Sequence, residues 1–333
     1  MRPILLSGHE RSLTQVKYNA DGDLLFTCSK DHLINAWYSH NGERLGTYSG
    51  HNGTVWTVDV DSTSRYLLSG SADNCIKLWE VQTGKCLQTW EFPTAIKRVQ
   101  WSEDDTMFLA VTEKRMGYEG SVVVFYVGPD MQPETEPMTK IETTFSKATV
   151  AAWAALDRNI IIAHDNGSVS LYDPKSGEEY DMREDVHEAT ITDLQTSKDK
   201  TWFVTSSKDK SAKILDAQDL KIIKTFATDA PLNSAGILPG KPYILVGGGQ
   251  DAMSVTTTGA RQGHFEIRFW HRIFEEEISR VKGGFGPCNT IAIHPHGLGY
   301  SIGGEDGYIR VHHFDEEFFK AKPYGPSDEA TLD

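Results

Sequence analysis

One polar pattern recurs along this chain, and it constrains the fold more than any other feature. His9, Ser29, Asp31 and Trp37 stand in the same order and at the same intervals as His51, Ser71, Asp73 and Trp79, with 22 residues from His to Asp and six more to Trp. His187, Ser207 and Asp209 repeat the interval of 22, with Leu215 at the Trp position. The recurrence decides between two chemistries. A Ser-His-Asp nucleophilic site is needed once, whereas a hydrogen-bonded support is needed in every repeat, because buried polar groups require partners. The three sets are therefore read as structural networks, with no catalytic residue among them.

The local pattern is that of a β protein. "TVWTVDV" and "YLLSGS" read as strands, "SADN" as a turn, "CIKLWEV" as an alternating strand, and "QTGK" as the turn into "CLQTW". With the Trp position as ruler, the equivalent residues are Trp37, Trp79, Phe125, Tyr172, Leu215, Trp270 and His312, separated by 42, 46, 47, 43, 55 and 42 residues. That is the period of a four-stranded propeller blade. "SGH...SKDHLINAW", "SGH...SADNCIKLW" and "VHE...SKDKSAKILD" resemble the WD-repeat family. The resemblance implies a relay in each repeat: Asp in a tight turn, His from the preceding loop, Ser on one strand, Trp on the next. The expected fold is an all-β, seven-bladed WD40 propeller over residues 1–320, with 321–333 a flexible acidic tail. Blades 3, 4, 6 and 7 depart from the relay, carrying Glu119, Asn166, His264 and Asp306 at the turn position.

The repeat frame also predicts how the ring closes. The last repeat supplies only three strands, "TIAI", "GYSIG" and "GYIRVHHF", while Pro3-Ile4-Leu5-Leu6 precedes the first His without a partner of its own. The amino-terminal strand is expected to pair into blade 7 and remove an open sheet edge.

Insertions in a repeat protein are where individual function is carried. Three stand out: "EKRMGYEG" (113–120), the acidic, Pro-rich "GPDMQPETEPMTK" (128–140), read as a flexible surface loop, and "GGGQDAMSVTTTGARQGHFE" (247–266). Gly247 to Gly249 lack the Gly-Lys-Ser/Thr that a phosphate loop needs, and close backbone approach explains them as well. His294, His296, His312 and His313 have no third partner at metal-ligand spacing, so neither metal nor cofactor is expected. Glu275 to Glu277 read as a solvated face. In blade 5, Asp199 falls in the turn between strands one and two and Asp216 at the end of strand three, turns that share one face of a blade. With Asp219 they could receive an Arg or Lys of a partner through charge-assisted bonds; three ordinary turn aspartates are the other reading.

Composition narrows the partners. With 33 Lys plus Arg against 47 Asp plus Glu, the formal charge is -14, which opposes sequence-independent binding to nucleic acid and favours basic protein segments. The four cysteines form no C-x-x-C pair and read as buried thiols of a reducing compartment. MRPILLSGHE reads as neither signal peptide nor membrane span, so the expected location is cytoplasmic.

Longer segments carry a narrower resemblance. "MRPILLSGHERSLTQVKYNADGDLLFTCSKD", "WYSHNGERLGTYSGH", "VGGGQDAMSVTTT", "FEEEISRVKGGFGP" and "SIGGEDGYIRVHHFD" resemble the family of i subunits of eukaryotic translation initiation factor three. The resemblance implies a non-catalytic scaffold of that complex, which gathers at the small ribosomal subunit. It also implies binding to the carboxy-terminal segment of the b subunit and to the g subunit; the docking surface is assigned here to blades 5 and 6. A signalling adaptor, a ubiquitin-ligase substrate receptor and a hydrolase are the competing expectations.

Overall fold

A computed structural model describes residues 3–128, 133–154, 157–249, 265–282 and 286–321. Their strands form seven four-stranded antiparallel sheets, the architecture of a seven-bladed β-propeller. In six blades the four strands are consecutive, beginning with Leu13–Tyr18, Val55–Val60, Ile96–Trp101, Ala148–Ala154, Ile191–Thr196 and Leu232–Ile237 nearest the axis. The seventh takes Cys288–Ile293, Gly299–Gly304 and Ile309–His313 from one end of the chain and Ile4–Leu6 from the other. Ile4, Leu5 and Leu6 lie opposite Val311, Arg310 and Ile309.

Every inner strand carries a β-bulge one residue after its start, between Leu13 and Gln15 in blade 1 and at the matching place in the other six. A bulge turns its extra residue out of the ladder. Here several bulged side chains reach the next blade: Thr14 donates to the Val55 carbonyl, Thr192 to Leu232, Asn233 to Cys288 and Asn289 to Leu13. A second set accepts backbone N–H groups from the next inner strand, which has a free edge at the axis and must find partners there. Gln15 accepts from Val58, Thr57 from Val99, Asp59 from Trp101, Gln100 from Trp153, Ser234 from Ile291 and Thr290 from Val16. The core lies between adjacent blades: Phe26, Tyr48, Val58, Leu67 and Trp79 fill one gap, and Phe108, Phe125, Trp90, Trp101 and Ile96 the next.

The turns between strands one and two all place one residue in the left-handed region: Gly22, Ser64, Asp105, Asp157, Lys200, Gly240 and Gly297, with φ between 53° and 78°. Only three are glycine, so in the other four turns composition does not mark the left-handed residue. All four use their side chain to join blades: Asn19 donates to Ser64 Oγ at 3.0 Å, Ser62 Oγ to Asp105 at 2.5 Å, and Lys200 to Asp157 at 2.8 Å.

The Pro-rich insertion differs from its reading as a flexible loop. In its described part, Glu134 N–H donates to the Tyr126 carbonyl, Met138 N–H to Val124, and Trp90 Nε1 of blade 2 to the Glu134 carbonyl at 2.9 Å. Backbone bonding to two blades overrides the composition. His264 and most of the 247–266 insertion lie outside the described residues. At its start, a Cβ on Gly248 would meet the Pro231 carbonyl at 2.2 Å, so close backbone approach accounts for that glycine. Past the last blade, Asp315 caps the short helix Glu316–Lys320 through the Phe318 N–H.

Candidate protein-binding surface

The recurring polar residues form networks inside blades 1, 2 and 5. His9, His51 and His187 each bind an Asp carboxylate through Nδ1, at 2.8 Å to Asp31, 2.9 Å to Asp73 and 2.8 Å to Asp209. Burial alone would raise the Asp73 carboxyl, but bonds from His51, the Asn52 N–H and Ser71 outweigh it and hold the group well below the usual carboxylate range. Asp209 is held low in the same way by His187, Ser211 and the Glu188 N–H.

The hydroxyl in the network is not the expected one. Trp79 Nε1 donates to Ser69 Oγ at 2.8 Å and His51 Nε2 meets the same oxygen at 2.7 Å; Thr27 and Thr205 hold that place in blades 1 and 5. Ser29, Ser71 and Ser207 instead donate to the carbonyls of Arg11, Gly53 and Ala189 and accept the N–H of Asp31, Asp73 and Asp209. Register gives the reason. Trp79 lies opposite Leu67, so Ser69 is one pleat away on the same face and Ser71 two, about 7 Å further along the strand. His51 is 6% exposed, and Ser71 Oγ faces a backbone carbonyl. This arrangement suits support, not nucleophilic attack.

Blades lacking the network substitute other contacts. In blade 4, His164 Nε2 binds Ser170 Oγ at 2.7 Å, and in blade 7 the His312 and Tyr300 rings stack at 4.6 Å. Burial, then the Arg310 and His313 charges, pushes the His312 imidazole down to about 4. The lining of the axial channel, about 490 Å³, includes two ion pairs, Lys17 with Asp59 at 3.0 Å and Arg98 with Asp193 at 3.5 Å. Among the described residues no group of three or more His, Cys, Asp or Glu converges as a metal site, and no helix is long and apolar enough to cross a membrane. All four cysteines are free thiols; Cys28 and Cys288 are buried, while Cys75 and Cys86 are half-buried, which departs from the expectation for those two.

The structure brings Asp199 and Asp216 to one rim of blade 5. Asp216 pairs with Trp202 across the sheet, and the Ala217 N–H donates to the Thr201 carbonyl at 2.9 Å, tying the two turns together. Each aspartate also serves its own turn. Asp199 Oδ1 accepts from Ser197 Oγ at 2.5 Å, which holds its carboxyl low, Asp216 Oδ1 accepts the Gln218 N–H, and Asp219 Oδ1 accepts the Lys221 N–H. Asp199 and Asp219 are exposed and Asp216 is half-buried.

Sequence reasoning missed the apolar half of this surface. Lys224 of blade 5 bridges to Glu275 of blade 6 at 2.7 Å, and the Arg272 guanidinium lies 4.8 Å from the Trp202 ring. In the same turn as Arg272 and Glu275, Ile273 and Phe274 are 55% and 41% exposed. The signal was present: Ile-Phe in the turn of "HRIFEEE" puts two apolar residues where polar ones are the rule. Nor is the acid run uniformly solvated, since Glu277 turns toward the buried Arg268 at 3.7 Å.

Comparison with known proteins agrees along the whole chain. A family model described as EIF3I matches residues 1–323. Proteins named eukaryotic translation initiation factor 3 subunit I are similar throughout: 59% identical in Mycosarcoma maydis (100% of this chain, 99% of the relative), 57% in Botryotinia fuckeliana (96% and 96%) and 56% in Schizosaccharomyces pombe (97% and 99%). The chain belongs to the family of eukaryotic translation initiation factor 3 subunit I.

Proposed function

We propose that this chain is a non-catalytic, cytoplasmic scaffold subunit of translation initiation factor 3. In this reading it holds the carboxy-terminal segment of the b subunit at the seam of blades 5 and 6 and the g subunit elsewhere, supporting assembly of the preinitiation complex on the small ribosomal subunit. Family membership supports the role in translation initiation. The observation that carries the docking reading is the pairing of an acidic rim, Asp199, Asp216 and Asp219, with the exposed turn residues Ile273 and Phe274 of the next blade. Such a surface fits an amphipathic segment with apolar anchors and a cationic flank, in which a few anchors supply most of the affinity.

The test is direct binding of the purified b-subunit segment. Asp199→Lys with Asp216→Lys weakens it by roughly tenfold or more, beyond any loss in Asp199→Asn with Asp216→Asn, which keeps the turn-capping oxygens, and Phe274→Ser acts in the same direction. Wild-type affinity in the double Lys variant refutes this docking site.

A further inference from the structure

The insertion 113–120 sits on the opposite rim from the blade 5–6 seam, and nothing in the reading above uses it. It is not an irregular loop. Arg115 and Tyr118 exchange backbone hydrogen bonds at 3.1 and 3.0 Å, closing a two-residue hairpin on Met116 and Gly117. Both central residues have positive φ, 54° and 84°, as this tight turn type requires. Glycine takes that conformation freely, but methionine does so at a cost of about 1–2 kcal/mol. That cost is not offset by packing, because Met116 is 84% exposed. A strained, ordered, apolar tip directed into solvent is a feature of binding sites.

A second loop enlarges the patch. Thr143 bonds to the Gly120 carbonyl through both its N–H and its hydroxyl at 3.0 Å, setting loop 143–147 beside the hairpin. That loop exposes Phe145 at 68%, and the hairpin exposes Tyr118 at 54%. The two loops hold three cations, Lys114, Arg115 and Lys147, against two carboxylates, Glu113 and Glu119. Lys97 takes Glu113 at 3.4 Å and Lys114 takes Glu119 at 2.5 Å, while Arg115 reaches Glu113 only at 4.0 Å and Lys147 makes no ion pair among the described residues. On a chain of net charge -14, exposed Arg115 and Lys147 flank this apolar tip, with Asp165 Oδ1 accepting the Lys147 N–H at 3.1 Å.

We infer that the top of blade 3 is a second docking site, for an acidic protein segment that places apolar side chains on Met116, Tyr118 and Phe145 and carboxylates on Arg115 and Lys147. The experiment installs a photocrosslinker by Met116→p-benzoylphenylalanine in the full chain within the intact initiation complex and sequences the crosslinked product. The expected product is one protein segment of net negative charge with apolar residues, and its yield falls roughly tenfold when Arg115→Glu and Lys147→Glu are added. Tyr118→Ser, with the charges kept, lowers the yield as well. Equal melting temperatures of the variants show that the fold is kept. Crosslinks to RNA, to a net-basic segment or to nothing overturn the inference, as does a yield indifferent to charge reversal.

Discussion

Ser69 Oγ accepts a hydrogen bond from the Trp79 indole N–H and lies 2.7 Å from His51 Nε2, so one hydroxyl joins two blade-filling rings. Ser69→Ala orphans a buried donor and is expected to cost about 1–3 kcal/mol. A denaturation cycle with Trp79→Phe gives a coupling energy for the Ser69–Trp79 pair and none for Ser71–Trp79. Coupling to Ser71 instead would place the network where the sequence alone had it.

Gly22 and Gly240 hold the same turn position with φ of 78° and 75°, yet their surroundings differ. A Cβ on Gly22 would lie 2.3 Å from His294 Cε1, whereas Gly240 has nothing within 4 Å. Gly240→Ala therefore bears only the backbone term, about 1–2 kcal/mol, and Gly22→Ala adds about 1–3 kcal/mol of overpacking. Thermal unfolding of the two variants checks the order.

Thr57 Oγ1 accepts the buried Val99 N–H at 3.2 Å, joining blades 2 and 3 at the axis. Thr57→Val keeps the volume and leaves that N–H without its partner, for a loss of about 1–3 kcal/mol. Hydrogen exchange at Val99 is expected to speed up in the variant before other inner-strand amides do.

Deleting residues 1–6 removes the buried Leu6 side chain and uncovers the edge of Ile309–His313. Burial of one leucine is worth about 1.5–3 kcal/mol, and a bare edge invites association. Light scattering is expected to show oligomers and calorimetry a lower melting temperature; a monomer as stable as the full chain contradicts this closure.

Buried His312 is held neutral, with its folded value near 4 against about 6.5 in the unfolded chain. Its contribution is therefore complete above pH 6.5 and is lost as pH falls from there toward 4. Asp73 and Asp209, held low in the folded state, give up theirs only below about pH 4. Melting temperature against pH separates the two windows, and His312→Phe flattens the upper one.

Seven blades were legible because the Trp-position residues recur, and each of the seven lies on the third strand of its blade. Closure was legible because the last repeat is one strand short. Choosing Ser71 over Ser69 was a failure of register, since both lie on the same face and only pairing with Trp79 separates them. The apolar turn at Ile273 and Phe274 was hidden because its place beside blade 5 is set by Lys224 with Glu275 and Arg272 with Trp202, pairs distant in sequence. Lys200 and Asp157 show a further limit: a left-handed residue that bonds to the next blade looks, in sequence, like an ordinary surface charge.

Pairing Ile4–Leu6 with Ile309–His313 has a consequence during synthesis. At about 5–20 residues per second, the strand Ile4–Leu6 waits on the order of 15–60 seconds for its mate. Until Ile309–His313 is made, the edge it would expose does not exist, and a lone strand of three residues offers neighbouring nascent chains little to grip.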